Sequence, residues 1–187
     1  MKVLANDGLE ISAINEIKKN GIYIETNHLD KEELIENIKN YDVLVVRSNT
    51  KVTSDVLEAG AKGNLKLVIR AGVGIDNIDL DYAEKVGIKV RNTPNASSDS
   101  VAELALGHMF SVARYIAVAN YTMRNGQWNK KQYKGSEIAG KILGIIGMGR
   151  IGKALAGKAE ALGMKIIYAD VLGKQDNLAY EFMDLDN

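Results

Sequence analysis

Gly147, Gly149 and Gly152 stand in the spacing G-x-G-x-x-G directly after the apolar run that begins at Lys141, and Asp170 follows at the end of the next apolar run, 18 residues past Gly152. Each glycine serves a different physical end: the first permits a tight turn, the second lets backbone approach a diphosphate, and the third lets a helix pack on the strand. The diphosphate then meets free N–H groups at the positive end of a helix beginning near Arg150. Asp170 is placed to accept hydrogen bonds from the adenosine ribose, and its charge repels a 2′-phosphate, so NAD is expected over NADP; Lys174 weakens that preference only slightly. Gly147 to Lys153 also fits G-x-x-x-x-G-K of a phosphate loop, but the next position must offer a hydroxyl to Mg²⁺ and is Ala154, which argues against ATPase or GTPase chemistry. A methyl-transfer fold binding S-adenosylmethionine can use a Gly-rich turn and an acid, yet the third glycine favours a dinucleotide.

A second set of groups lies earlier. "VVRSNT" puts Arg47 and Ser48 just after an apolar strand, and "VIRAGVGIDNID" puts Arg70 and a turn of Gly72, Val73 and Gly74 after the next. Ligands of open α/β sheets bind beyond the carboxyl ends of the strands. There the successive N–H groups of Gly72, Val73 and Gly74 suit an anion-binding nest, and the Arg47 guanidinium offers a planar fork to carboxylate or phosphate. A small anionic ligand is expected; the alternatives are a solvated strand-end arginine and a plain tight turn. Arg70 is expected to make a structural contact. His28 and His108 are the only histidines and have no Cys or acid at ligand spacing, so no metal site is expected. His108, mid-helix among apolar residues, is expected to be packed or at an interface. No G-x-S-x-G turn offers a serine nucleophile.

These groups need elements to hold them. Three times a helical pattern ends at Gly and an apolar run follows at once ("NGIYIE", "VGIKVR", "LGMKII"), each Gly suiting a left-handed cap. Strands are expected near Lys2–Ala5, Tyr23–Glu25, Asp42–Val46, Leu67–Arg70 and Lys89–Arg91. Helices are expected over Ser12–Asn20, Lys31–Asn40 after an Asp30 cap, Thr53–Ala61 and Asp79–Val86. The alternation predicts an α/β fold, with residues 1–96 a doubly wound, flavodoxin-like parallel sheet. From Ser100, in capping-box spacing with Glu103, a helix of about 24 residues is expected. Its apolar positions cover more than one face, so burial on both sides is expected. A polar stretch with Trp128, Lys130 and Lys131, a surface loop or an interface, precedes the first part of a Rossmann domain in residues 97–187. At ~30 residues per βαβ unit, roughly 100 residues of such a domain are absent, so it is expected to be cut short.

Composition sets outer bounds. Hydrophobic residues make up 46% and charged residues 26%, enough for a real core. Lys plus Arg number 24 and Asp plus Glu 24, so no net field draws a nucleic acid or an anionic membrane. The absence of Cys removes disulfides, thiolate metal sites and cysteine nucleophiles, and fits a reducing cytoplasm. No run approaches ~18 apolar residues, so a cytoplasmic protein without membrane contact is expected. Pro94 is the single proline, which leaves no Pro-rich linker.

"VVRSNTKVT", "RAGVGIDNIDLDYAEKVGIKVRNTPN", "SVAELALGHM" and "IAGKILGIIGMGRIGKALAGKAEALGMKIIYAD" together resemble the D-isomer-specific 2-hydroxyacid dehydrogenases, most closely their phosphoglycerate members, over essentially the whole chain. The resemblance implies a substrate domain in residues 1–96, a linking helix and a truncated NAD-binding domain in residues 97–187, and a homodimer. It implies NAD-linked oxidation of a small anionic 2-hydroxy acid to its 2-oxo acid, with 3-phosphoglycerate, in serine biosynthesis, as substrate. Gly147, Gly149, Arg150, Ile151, Gly152 and Asp170, with Val73 and Ser98, would hold NAD. Arg47, Ser48, Gly72, Val73, Gly74 and Ser97 would face the substrate. Ser97 stands where many relatives carry Asn; a hydroxyl still donates. The family's catalytic Arg, Glu and His are expected past Asn187, so these 187 residues alone are expected not to turn over. A non-catalytic NAD-binding module of the same fold is the alternative.

Overall fold

The computed structural model describes residues 1–185; Asp186 and Asn187, the end of the expected second domain, lie outside the described residues. The chain divides into two units, Met1–Ala96 and Ser97–Asn187.

In the first unit, β1 (Lys2–Ala5), β2 (Tyr23–Glu25), β3 (Val43–Val46), β4 (Leu67–Arg70) and β5 (Lys89–Asn92) form one parallel sheet in the order β2-β1-β3-β4-β5. That is the flavodoxin order. A parallel strand covered on both faces is apolar throughout, and β3 is buried at all four positions. Leu44 and Val46 join one core with Leu34 and Ile38, from α2 (Lys31–Asn37) and the 3₁₀ turn that follows it, and with Val56 and Leu57 of α3 (Ser54–Ala61). Val43 and Val45 join the other, against Ile14 and Ile17 of α1 (Ile11–Lys19). Asp30 starts α2 with a reciprocal capping box: its carboxylate accepts from the Glu33 N–H and its own N–H donates to the Glu33 carboxylate. Asp79 caps α4 (Leu80–Lys85) by accepting from the Tyr82 N–H.

In the second unit, β6 (Ile142–Ile146), β7 (Lys165–Ala169) and β8 (Glu181–Phe182) form a parallel sheet in chain order. α7 (Arg150–Ala161) connects β6 to β7. Ile145, Met148, Ala156, Ala159, Ile166 and Tyr168 make its core, closed by Leu106, Met109 and Phe110 of α5 (Ser98–Arg114).

The long helix departs from expectation at its start, middle and surface. It starts at Ser98 with no side chain capping it, so Ser100 and Glu103 lie within the helix and form no capping box. It breaks at Tyr115, the one non-glycine residue with positive φ (57°) among the described residues, and α6 (Ile116–Arg124) continues after a 63° bend. The cause comes from later in the chain. The Ala113 carbonyl, which an unbroken helix would pair with a residue one turn on, accepts from the Ser136 N–H at 2.9 Å. Tyr133 stacks on Tyr115 with ring centroids 5.7 Å apart. Burial is one-sided as well: α7 packs on α5, and only Ala102 of α5 is fully buried, while Leu104 is 61% and Val112 78% exposed. Among the described residues no single helix is long and apolar enough to cross a membrane; α5 and α6 reach that length and composition only together, across the bend.

Candidate functional site

The Gly-rich turn sits at the carboxyl end of β6. Gly147 has φ 93°, outside the range side chains tolerate, and its N–H donates to the Ala169 carbonyl at 2.8 Å, tying the turn to β7. Gly149 is the N-cap of α7; no side chain accepts there, and nothing lies within 4 Å of where its Cβ would stand. Backbone is therefore bare at this point. A Cβ on Gly152 would run into the Gly147 carbonyl and approach Ile145 Cγ2 to 3.3 Å, so the helix rests directly on the turn. Arg150 and Ile151 are exposed in the first turn of α7, at its positive end.

Asp170 stands beside this turn and also braces it. Its Oδ1 accepts from the Leu172 N–H at 2.9 Å and its Oδ2 from the Met148 N–H at 2.7 Å. These two bonds, with Lys153 adding a smaller attraction, hold the carboxyl below the usual carboxylate range. A carboxylate offers about four acceptor positions, so each oxygen keeps one free. Gln175 holds the other half of the same peptide region: its Nε2 donates to the Met148 carbonyl at 3.2 Å, and its N–H donates to the buried Tyr168 hydroxyl at 2.8 Å. Sequence reasoning overlooked Gln175, because no spacing rule marks a side chain that returns from a loop.

The first unit gathers Arg47, Ser48, Gly72, Val73 and Gly74 at the carboxyl ends of the neighbouring strands β3 and β4. The Arg47 guanidinium and Ser48 hydroxyl are exposed, and neither has a protein partner among the described residues. The nest expected over Gly72, Val73 and Gly74 is shorter than three donors, since the Gly72 N–H is spent on the Arg70 carbonyl at 2.8 Å. Arg70 makes a close structural contact: its guanidinium occupies the space a Gly72 Cβ would need, and its Nε is buried without a partner. The carbonyls of this turn are held from the end of β5 and the residue after it, that of Val73 by Asn92 Nδ2 (2.6 Å) and that of Gly72 by the Thr93 N–H (3.0 Å).

A buried polar network lies under the Arg47 loop, and sequence reasoning missed it. Asp7 Oδ2 accepts from the N–H groups of Arg47 (2.6 Å) and Thr50 (3.1 Å), and Oδ1 accepts from Thr50 Oγ1 (2.5 Å). Burial pushes the Asp7 carboxyl up, but these bonds and the nearby His28 outweigh it and hold it below the usual carboxylate range. Asn77 Nδ2 donates to the carbonyls of Arg47 (2.8 Å) and Thr50 (2.7 Å). Asn6, 1% exposed, donates to Thr50 Oγ1 (2.9 Å) and pairs through both side-chain atoms with the Leu29 backbone.

Ser97 and Ser98, half-buried, open α5 in the second unit, where Gly147 to Gly152 and Asp170 also lie, whereas Val73 belongs to the first. His28 lies 2.8 Å from the Asn6 carbonyl through Nδ1. His108 is exposed, not packed, because α7 covers the other side of α5; it lines an open hollow of about 520 Å³ with Val112, Lys141 and Ile142.

Comparison with known proteins agrees with this architecture. Residues 3–178 match the D-isomer specific 2-hydroxyacid dehydrogenase, catalytic domain. The hydroxypyruvate reductase of Thermotoga maritima is 49% identical over 186 residues, covering 99% of this chain and 60% of that protein. The D-3-phosphoglycerate dehydrogenase of Methanocaldococcus jannaschii is 49% identical over 170 residues, covering 91% of this chain and 32% of that protein. The chain thus spans 60% and 32% of the lengths of these two curated relatives. The crystal structure of the TT0316 protein from Thermus thermophilus superposes with a TM-score of 0.89 at 29% identity, over 100% of this chain and 60% of that one. An acyclic imino acid reductase in complex with NADPH and D-Arg gives 0.84 at 30%, over 98% and 60%. The NAD-dependent formate dehydrogenase from Staphylococcus aureus in complex with NAD gives 0.82 at 26%, over 100% and 61%. By sheet order, Gly-rich turn and these matches, the chain belongs to the D-isomer-specific 2-hydroxyacid dehydrogenase family.

Proposed function

We propose that these residues serve an NAD-dependent dehydrogenase that oxidises a D-2-hydroxy acid, 3-phosphoglycerate, to the corresponding 2-oxo acid. The observation that carries this is the bare backbone at Gly149, facing the uncapped start of α7, with Asp170 fixed beside it by two backbone N–H groups. A diphosphate fits that cradle, with Gly147, Arg150, Ile151 and Gly152 supplying turn and helix start. When bound there, NAD would supply the hydride acceptor for the oxidation. The free acceptor positions of Asp170 suit two ribose hydroxyls, and its charge disfavours a 2′-phosphate; exposed Lys174 is the opposing feature. Arg47 and Ser48, without protein partners among the described residues, take the acid's anionic end, and the N–H groups of Val73 and Gly74 take its oxygens; in the second unit, Ser97 is assigned to substrate and Ser98 to cofactor as hydroxyl donors. No catalytic base is assigned among the described residues. The exposed apolar side chains of α5 and α6, Val112 and Tyr121 among them, support a homodimer.

Reduction of hydroxypyruvate is the second reading, favoured by the Thermotoga relative's match over 99% of this chain. Kinetics of the full-length enzyme decide between them. Arg47→Ala is expected to raise KM for 3-phosphoglycerate at least about tenfold, roughly 1.4 kcal/mol, with NAD affinity unchanged. An unaltered KM removes Arg47 from the site, and a higher kcat/KM for hydroxypyruvate in the unmutated enzyme replaces the substrate. Calorimetry with NAD and NADP tests the cofactor: NADP should bind at least about tenfold more weakly, and Asp170→Ala should narrow the gap.

A further inference from the structure

We propose that Asp7 and Asn77 are positioning residues: together they clamp the Arg47–Thr50 loop by its two kinds of backbone group and so fix where the Arg47 guanidinium and Ser48 hydroxyl meet the acid. The inference rests on the assignment of Arg47 and Ser48 to the substrate made above.

A short surface loop closes without internal support, since water satisfies its polar groups. This one is held at both ends. Asp7 takes the N–H groups of Arg47 and Thr50, and Asn77 holds the carbonyls of the same two residues. Ser48 and Asn49 are thereby strung between two anchored positions. The carboxylate of Asp7 is only 4% exposed, and a charge is costly to bury unless its oxygens are occupied; here three donors occupy them, all from the loop. Asn77 shows the same one-sided use. Both donors of its amide go to the loop, while its Oδ1 is buried with no partner among the described residues, a cost that a side chain kept only for packing would not carry. Thr50, 7% exposed, is the pivot, because its hydroxyl donates to Asp7 and accepts from Asn6. Against this held backbone, the side chains of Arg47 and Ser48 have no protein partner among the described residues. A fixed frame presenting free donors lowers the ordering cost of capturing an anion.

The test is a double-mutant cycle in the full-length enzyme. Asp7→Asn keeps the size of the side chain and loses acceptor strength; Asn77→Ser keeps one donor of two. Each alone should raise KM for the acid about tenfold, with kcat changed less than about twofold and NAD affinity constant. In an Arg47→Ala background the increment in KM should fall well below tenfold, because only the Ser48 hydroxyl is left to place. Arg47→Ala effective with both clamp variants silent overturns this inference alone, as does an increment that stays undiminished without Arg47. Arg47→Ala without effect overturns the substrate assignment and the inference with it. If Asp7→Asn is unfolded by circular dichroism, Asn77→Ser decides by the same cycle.

Discussion

The Gly147–Gly152 turn and the Arg47–Thr50 loop each follow a parallel strand and expose groups suited to an anion, but they are stiffened by opposite means. The turn is stiffened by missing side chains: Gly147 adopts φ 93°, and Gly152 lets α7 rest on the Gly147 carbonyl. The loop is stiffened by side chains brought from afar, Asp7 forty residues away from Arg47 and Asn77 thirty. One site fails if an atom is added and the other fails if a partner is removed. A contiguous motif is enough for the first; the second exists only once β1, β3 and the segment after β4 are side by side.

Adding atoms to the turn should do the most damage. Gly152→Val places carbon against the Gly147 carbonyl, and unfolding in urea should show a loss of about 1–3 kcal/mol or more, with NAD binding abolished in calorimetry. Gly147→Ala meets no neighbour and strains only the backbone, so about 1–2 kcal/mol is expected from the same denaturation curve. Equal costs for the two would erase the distinction between a steric and a torsional glycine.

The loop should respond to acid. Asp7 has its folded carboxyl held below its ordinary value of 3.8, so the native state binds that proton more weakly than the unfolded chain does. Its stabilisation is complete above the ordinary value and is lost as pH falls through the lower folded one. Thermal melts from pH 6 downward should lose this acid-sensitive step in Asp7→Asn; an unchanged pH profile would show that the carboxylate contributes nothing by its charge. The smallest effect belongs to the open face of α5. Val112→Ser, at a position 78% exposed, should shift stability by less than about 0.5 kcal/mol, while sedimentation reports whether a second copy needs that face.

The elements legible before folding were those set by neighbours in the chain. Asp30 and Glu33 cap α2 because they stand three apart, and the apolar run at Val43 becomes a strand buried at every position because both faces of the sheet are covered there, with Val68 buried in the next strand. The doubly wound order follows from the alternation of such runs with helices. Errors concentrate where a distant segment intervenes. Tyr115 carries no local signal for a left-handed turn; the break follows from Tyr133 and Ser136 returning to its flank. The apolar positions of α5 suggest two buried sides, yet α7 packs on one and Leu104 and Val112 stay exposed. At the candidate site, the glycines and Asp170 were visible as a turn and a nearby acid, but not that the acid braces the turn through Met148.

What the order of residues determined by itself is most of the strands and helices, their parallel winding, and a turn at Gly147 whose positive φ suits glycine, because backbone torsion and hydrophobic period act within a few positions of the residue concerned. What only the tertiary structure decided is which polar atoms are spent and which are left over: the Asp7 and Asn77 side chains given to one loop, the Arg47 fork left without a partner among the described residues. Hydrogen-bond partners are chosen by distance in space, and in this chain the decisive pairs lie tens of residues apart.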